Sequence, residues 1–144
     1  MIEPPGVNSI NTQGEKEVLE LAVDSGASET VIHEEMVGQV EVKEGSASRR
    51  GVKYEVANGV RIPNLGEQKF SGTSDEGIQR TLTAQVCDVN KALLSVKKVV
   101  AAGNNVVCDQ ESSYIEDKQT DENMWLQEQN GMYMLKLWIP KTPF

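Results

Sequence analysis

The residues best placed to do chemistry are Asp24, Ser25, Gly26 and Ala27. An apolar run, Leu19 to Val23, leads into them, and Thr30-Val31-Ile32 follows almost at once. Asp-Ser-Gly is common in turns, but turns are usually flanked by polar residues, and this one sits between two apolar strands. A carboxylate on such a loop suits water-activated peptide hydrolysis. Two carboxylates about 3 Å apart cannot both ionise, so they share a proton. The ionised one takes a proton from water and the protonated one polarises the scissile carbonyl. Gly26 lets backbone approach the carboxylates, Ser25 offers a hydroxyl to lock the loop, and Ala27 leaves room for substrate. The loop occurs once in the chain. This chemistry therefore requires two copies, with the site on a two-fold axis. Two rival readings remain: a purely structural turn, and a phosphorylation-dependent degradation signal at Ser25 and Ser28. The apolar flanks weigh against the second, because such signals occupy exposed segments.

The elements that must hold this loop are mostly strands. Residues 15–23 alternate, with Leu19, Leu21 and Val23 on one face. Tyr54 to Ile62 is patterned as a hairpin around Asn58-Gly59, a pair that tolerates the positive φ of a two-residue turn, and Pro63 ends or edges its second strand. Lys69-Phe70, Thr81–Val89, Val106–Cys108, Tyr114-Ile115, Met124–Leu126 and Met132–Ile139 are further expected strands, with Asn130-Gly131 as a second hairpin turn. Residues 34–51 and the Gly72–Gly77 stretch are expected loops. Lys91–Ala102 is the expected helix, with Gly103 placed to stop it. Residues 1–14, holding Pro4, Pro5, Gly6 and Gly14, are expected to be a flexible arm, 15–139 the folded domain, and 140–144 a tail.

Composition bounds the function class. The 144 residues suffice for one domain, with 38% hydrophobic and 25% charged side chains. The net charge of −8 repels phosphate backbones and counts against nucleic acid. No apolar run approaches the roughly 20 residues of a membrane helix, and the N-terminus lacks the pattern of a secretory signal. Cys87 and Cys108 make no disulfide framework, and both are expected to be buried, reduced thiols of a cytoplasmic protein. The single histidine, His33, cannot form a metal cluster alone and is expected at a strand end near the surface. No metal or cofactor is expected.

The chain resembles the retropepsin-like aspartic proteases, specifically those of copia-type LTR retrotransposons. The resemblance rests on Val23-Asp24-Ser25-Gly26-Ala27-Ser28, on the Asn58-Gly59 hairpin, on Val86-Cys87-Asp88-Val89 followed by Ala92-Leu93-Leu94-Ser95-Val96, and on Asn130-Gly131-Met132-Tyr133-Met134-Leu135. It covers most of residues 18–137. It implies an all-β, closed-barrel acid-protease fold with a flap hairpin and one short helix. By this resemblance Asp24 is the catalytic aspartate given by each protomer, Ser25 braces the loop across the dimer axis, and Gly26 meets substrate backbone. Val56, Ala57, Asn58, Gly59 and Val60 form a mobile flap, and Leu93, Leu94 and Ser95 pack beneath the loop. Viral retropepsins carry Gly where Ser95 stands and acidic residues after the Ala, where this chain has Ser28 and Glu29. The partners implied are a second copy and a polypeptide substrate, with cleavage of the element's own polyprotein as the activity. The alternative is a non-catalytic retropepsin-like dimerisation or peptide-binding module. Residues from about 110 exceed a minimal viral protease and are expected to supply the dimer sheet or to lead into the next polyprotein segment. Trp125, Met132, Tyr133, Met134 and Trp138 form a late apolar group, read as core or as a dimer interface on the Met132–Ile139 strand.

Overall fold

Alternation of apolar and polar residues, rather than helical spacing, dominates the chain, and the fold follows from it. A computed structural model describes residues 16–56 and 58–141. The expected arm at 1–14, the flap residue Ala57 and most of the expected tail lie outside the described residues. Twelve strands are present among the described residues: β1 (Lys16–Asp24), β2 (Val31–Ile32), β3 (Lys53–Glu55), β4 (Arg61–Pro63), β5 (Gly66–Thr73), β6 (Gln79–Val86), β7 (Ala92–Ser95), β8 (Asn104–Cys108), β9 (Ser113–Asp117), β10 (Asn123–Trp125), β11 (Gln127–Gln129) and β12 (Met132–Pro140). Two short helices, α1 (Ser46–Arg49) and α2 (Val96–Ala101), and a 3-10 turn at Glu34–Val37 complete the fold.

The main sheet runs β1-β7-β2-β6-β5-β12-β11, and β12 also pairs with β1, so the sheet returns on itself as a ring. β1 alternates as its sequence demands: Leu19 and Leu21 point into the core, while Lys16, Val18 and Glu20 face outward. β12 answers with Leu135, Leu137 and Ile139 on the same interior face. Each such fully buried side chain contributes about 1.5–3 kcal/mol of hydrophobic stabilisation. Gly72 of β5 passes directly over this layer. A Cβ there would stand 2.8 Å from Ile139 Cδ1 and 3.0 Å from Leu137 Cβ, so any larger residue would have to displace this layer. A second sheet, β10-β9-β8, lays Ile115 and Met124 onto the same core. Arg80 of β6 donates to Asp117 Oδ2 at 2.9 Å and to Glu122 Oε1 at 3.2 Å, tying this sheet to the ring.

Several local expectations are corrected. Lys91–Ala102 is not one helix. Ala92–Ser95 is strand β7, held between β1 and β2 with Ala92 and Leu94 buried, and only Val96–Ala101 is helical. Ser95 caps that helix by accepting the Lys98 N–H, and Gly103, at φ +98°, ends it. The 34–51 stretch carries the 3-10 turn and α1 rather than loop alone. Gly72 and Thr73 belong to β5, and the following turn is closed by Ser74 N–H to Ile78 O at 2.9 Å. The Thr81–Val89 strand stops at Val86. Cys87 is fully buried, but Cys108 is exposed.

Within the chain, β12 takes β1 along one side, and on the other it pairs with β11 at Met132–Met134 and with β5 at Trp138 alone. Trp125 stacks edge-on against Tyr114, with ring centroids 5.1 Å apart, rather than joining Trp138, whose Nε1 donates to Asp75 Oδ1. Among the described residues no helix is long and apolar enough to cross a membrane.

Candidate functional site

Asp24 is the last residue of β1, where the strand's apolar alternation ends and the chain turns. β1 and β7 run parallel, and their register sets Val23 beside Leu94 and Asp24 beside Ser95. The Asp24 side chain is fixed locally, its Oδ1 accepting the Gly26 N–H at 2.8 Å. Oδ2 has no hydrogen-bond partner among the described residues, and no cation there forms an ion pair with Asp24. Lys98 pairs with Glu29 at 3.3 Å, and His33 Nε2 lies 3.8 Å from Asp88 Oδ1. Ser25 and Gly26 are exposed, and Asp24 and Ala27 are half-buried.

The loop is held from behind by Ser95, which is wholly buried. Its Oγ donates to Ala27 O at 2.8 Å and accepts the Lys98 N–H at 3.2 Å, while its own N–H donates to Thr30 Oγ1 at 3.1 Å. Thr30 O in turn accepts the Gln85 N–H at 2.8 Å. One hydroxyl thus joins the carboxylate loop to a helix start, and a second hydroxyl joins the loop's exit to β7. Leu93 lies between Ala22 and Val31, and Leu94 fills the core below.

The Asn58-Gly59 hairpin exists as the separate β3–β4 pair. Its loop has three residues rather than two. Val56 O accepts the Gly59 N–H at 2.8 Å, Val56 N–H donates to Val60 O at 2.9 Å, and Gly59 takes φ +82°. Asn58 Oδ1 accepts the Val60 N–H, and Asn58, Gly59 and Val60 are exposed. The hairpin base is anchored by Asn64, whose Nδ2 reaches Tyr54 OH at 3.1 Å and Gln85 Oε1 at 2.8 Å. Burial, foremost, raises the Tyr54 phenol above its ordinary pKa. No hydrogen bond among the described residues joins the hairpin to the Asp24 loop.

The structure therefore brings Asp24, Ala27, Leu93, Leu94 and Ser95 together, with Ser25 and Gly26 on the rim, and leaves half-buried Val56 and exposed Asn58, Gly59 and Val60 on a separate arm. Sequence reasoning missed Thr30, Asn64 and Gln68. Gln68 is nearly inaccessible, and its Nε2 donates to the carbonyls of Glu34, Val37 and Val40. Only Asn64, placed directly after Pro63, carried a local signal.

Two cavities accompany these elements. One, of about 480 Å³, lies between β6, α2 and the three-stranded sheet. The other, of about 910 Å³, separates the hairpin from the Asp88–Asn90 loop. Asp24 lines neither. Among the described residues no cluster of three or more His, Cys, Asp or Glu could hold a metal ion. No family model, no curated protein and no solved structure matches the chain.

Proposed function

We propose that the chain is one subunit of a homodimeric aspartic endopeptidase of the retropepsin type, acting on the polyprotein of a copia-type retroelement. The observation that carries this reading is the Asp24 loop itself. A carboxylate stands at the end of an apolar strand, oriented by the Gly26 N–H and braced from beneath by Ser95, with its second oxygen unused. The ring order of the sheet, with β7 passing between β1 and β2 under the loop, supports the acid-protease fold, and the β3–β4 hairpin is suited to the role of flap.

In this mechanism two Asp24 carboxylates meet across the two-fold axis and share one proton. The ionised carboxylate removes a proton from water as the oxygen attacks the peptide carbonyl. The protonated carboxylate donates to the carbonyl oxygen, giving a neutral gem-diol. Collapse of that intermediate breaks the C–N bond, and a proton passes to the leaving amine. The flap excludes bulk water.

A second reading, a peptide-binding or dimerisation module without catalysis, is favoured by one observation: Asp24 lines neither of the two cavities described above. A mixed peptide-library digest separates the two. Wild type is expected to cut and Asp24→Asn to be inert, with specific activity rising with protein concentration as dimers form. Cleavage by the Asp24→Asn protein at the wild-type rate would overturn the reading.

A further inference from the structure

We infer that the groove between the β3–β4 hairpin and the Asp88–Asn90 loop is a subsite for a lysine or arginine side chain of an extended peptide. This rests on the endopeptidase reading and adds a substrate class to it.

The groove's volume, about 910 Å³, is ample for a long side chain and its flanking backbone. Met36, Val56, Ile62 and Val89 form its apolar wall, His33, Asn58 and Asn90 are its polar edge, and Glu35 and Asp88 contribute exposed carboxylates. An apolar wall with a carboxylate mouth matches a side chain that has a methylene stem and a cationic head.

No lysine or arginine lines the groove. The Lys91 ammonium, adjacent in sequence, is turned toward Met132 Sδ at 3.9 Å. His33, also on the groove wall, accepts the Glu35 N–H at Nδ1 at 3.1 Å and sets its Nε2 3.8 Å from Asp88 Oδ1. A substrate cation would therefore meet two carboxylates with no lysine or arginine of the groove's own lining beside them.

The position follows from β7. Asn90 borders the groove, and Ser95, five residues on, stands beside Asp24. At no more than about 3.3 Å per residue, the chain places the groove within about 16 Å of Ser95. An extended substrate covers that reach in at most four to five residues, which sets the outer limit of the position preferred.

The test uses fluorescent peptides made uncleavable by a reduced amide at the scissile position, with lysine, norleucine or glutamate four or five residues away. Binding is read by anisotropy on wild type, on the Glu35→Gln/Asp88→Asn double variant and on Asp88→Lys, with cleavable versions digested in parallel. Both residues are exposed, so the substitutions spare the core. Wild type is expected to bind the lysine peptide about two- to thirtyfold more tightly than the norleucine peptide, the range for two exposed ion pairs. The double variant is expected to lose that preference, and Asp88→Lys to shift it toward glutamate. Equal affinities in wild type, no binding of any peptide, or a lysine preference that survives the double variant would overturn the inference. Selective binding without any cleavage would support the subsite and defeat the endopeptidase reading instead.

Discussion

Ser95 stands beside Asp24 across the parallel β1–β7 pair, and its hydroxyl donates to Ala27 O at 2.8 Å while accepting the first turn of α2. The carboxylate loop and the helix start are therefore fixed by one buried oxygen. The Ser95 side chain hydrogen-bonds both neighbours, which a glycine in its place could not do.

Ser95→Ala removes the cap and leaves the Ala27 carbonyl unpaired. The expected cost is about 1–3 kcal/mol, read from the midpoint of urea unfolding at unchanged slope. Thr30→Val strands the Ser95 N–H and is expected to cost about 1–2 kcal/mol. The two residues share a network, so the double variant is expected to lose less than the sum.

Asp24→Asn keeps an oxygen for the Gly26 N–H, and the position is only half-buried. Its stability is expected to lie within about 0.5 kcal/mol of wild type. Asp24→Ala loses the acceptor and is expected to cost about 1 kcal/mol. Thermal unfolding of the three proteins checks this. A large loss in the asparagine variant would mean that the carboxylate serves the fold rather than chemistry.

The two thiols are expected to behave oppositely. Cys108 is exposed and Cys87 is fully buried, so a thiol reagent should titrate one group in the native protein and two in denaturant. Burial pushes the Cys87 thiol up to about 11 from 9.0. Between those values the unfolded chain gives up its proton while the native chain keeps it. Stability is fully present below pH 9 and falls as pH rises toward 11. Cys87→Ala should flatten that alkaline limb.

The Arg80 link should show at acid pH. The Gln119 N–H, foremost, with the Thr120 N–H and the Arg80 guanidinium, holds the Asp117 carboxyl below its ordinary value of 3.8 against the opposing effect of partial burial. The stabilisation is present above that ordinary value and is lost as pH falls through the lower native one. Asp117→Asn is expected to be less acid-sensitive than wild type but less stable at neutral pH. Arg80→Ala is expected to loosen the three-stranded sheet, giving faster amide exchange in β9 than in β1.

What could be read from the chain alone divides by the range of the interactions. β1 was legible because Leu19 and Leu21 alternate with Lys16, Val18 and Glu20. The Asn130-Gly131 turn was legible because both residues must accept positive φ, found here at 53° and 80°. The Asp24 turn stood out for its apolar flanks. Ala92–Ser95 misled because Ala-Leu-Leu suits helix and strand alike, and the choice was made by β1 and β2, which lie some sixty residues or more earlier in the chain. Thr30 and Gln68 were invisible for a related reason, and Asn64 was marked only by its place after Pro63. A polar residue can be buried only where a partner waits, and those partners are Ser95, Gln85 and the 34–40 carbonyls. The neighbours of β12 were hidden likewise, since a strand's composition does not say whether its edges are taken.

The pairing of β1 with β12 carries a kinetic consequence. Leu19 meets Leu137 and Leu21 meets Leu135, partners more than a hundred residues apart in sequence. Such distant closures slow folding to milliseconds or longer. During synthesis β1 lacks this neighbour until β12 emerges, and its leucines must stay shielded by transient contacts or by chaperones in the interval.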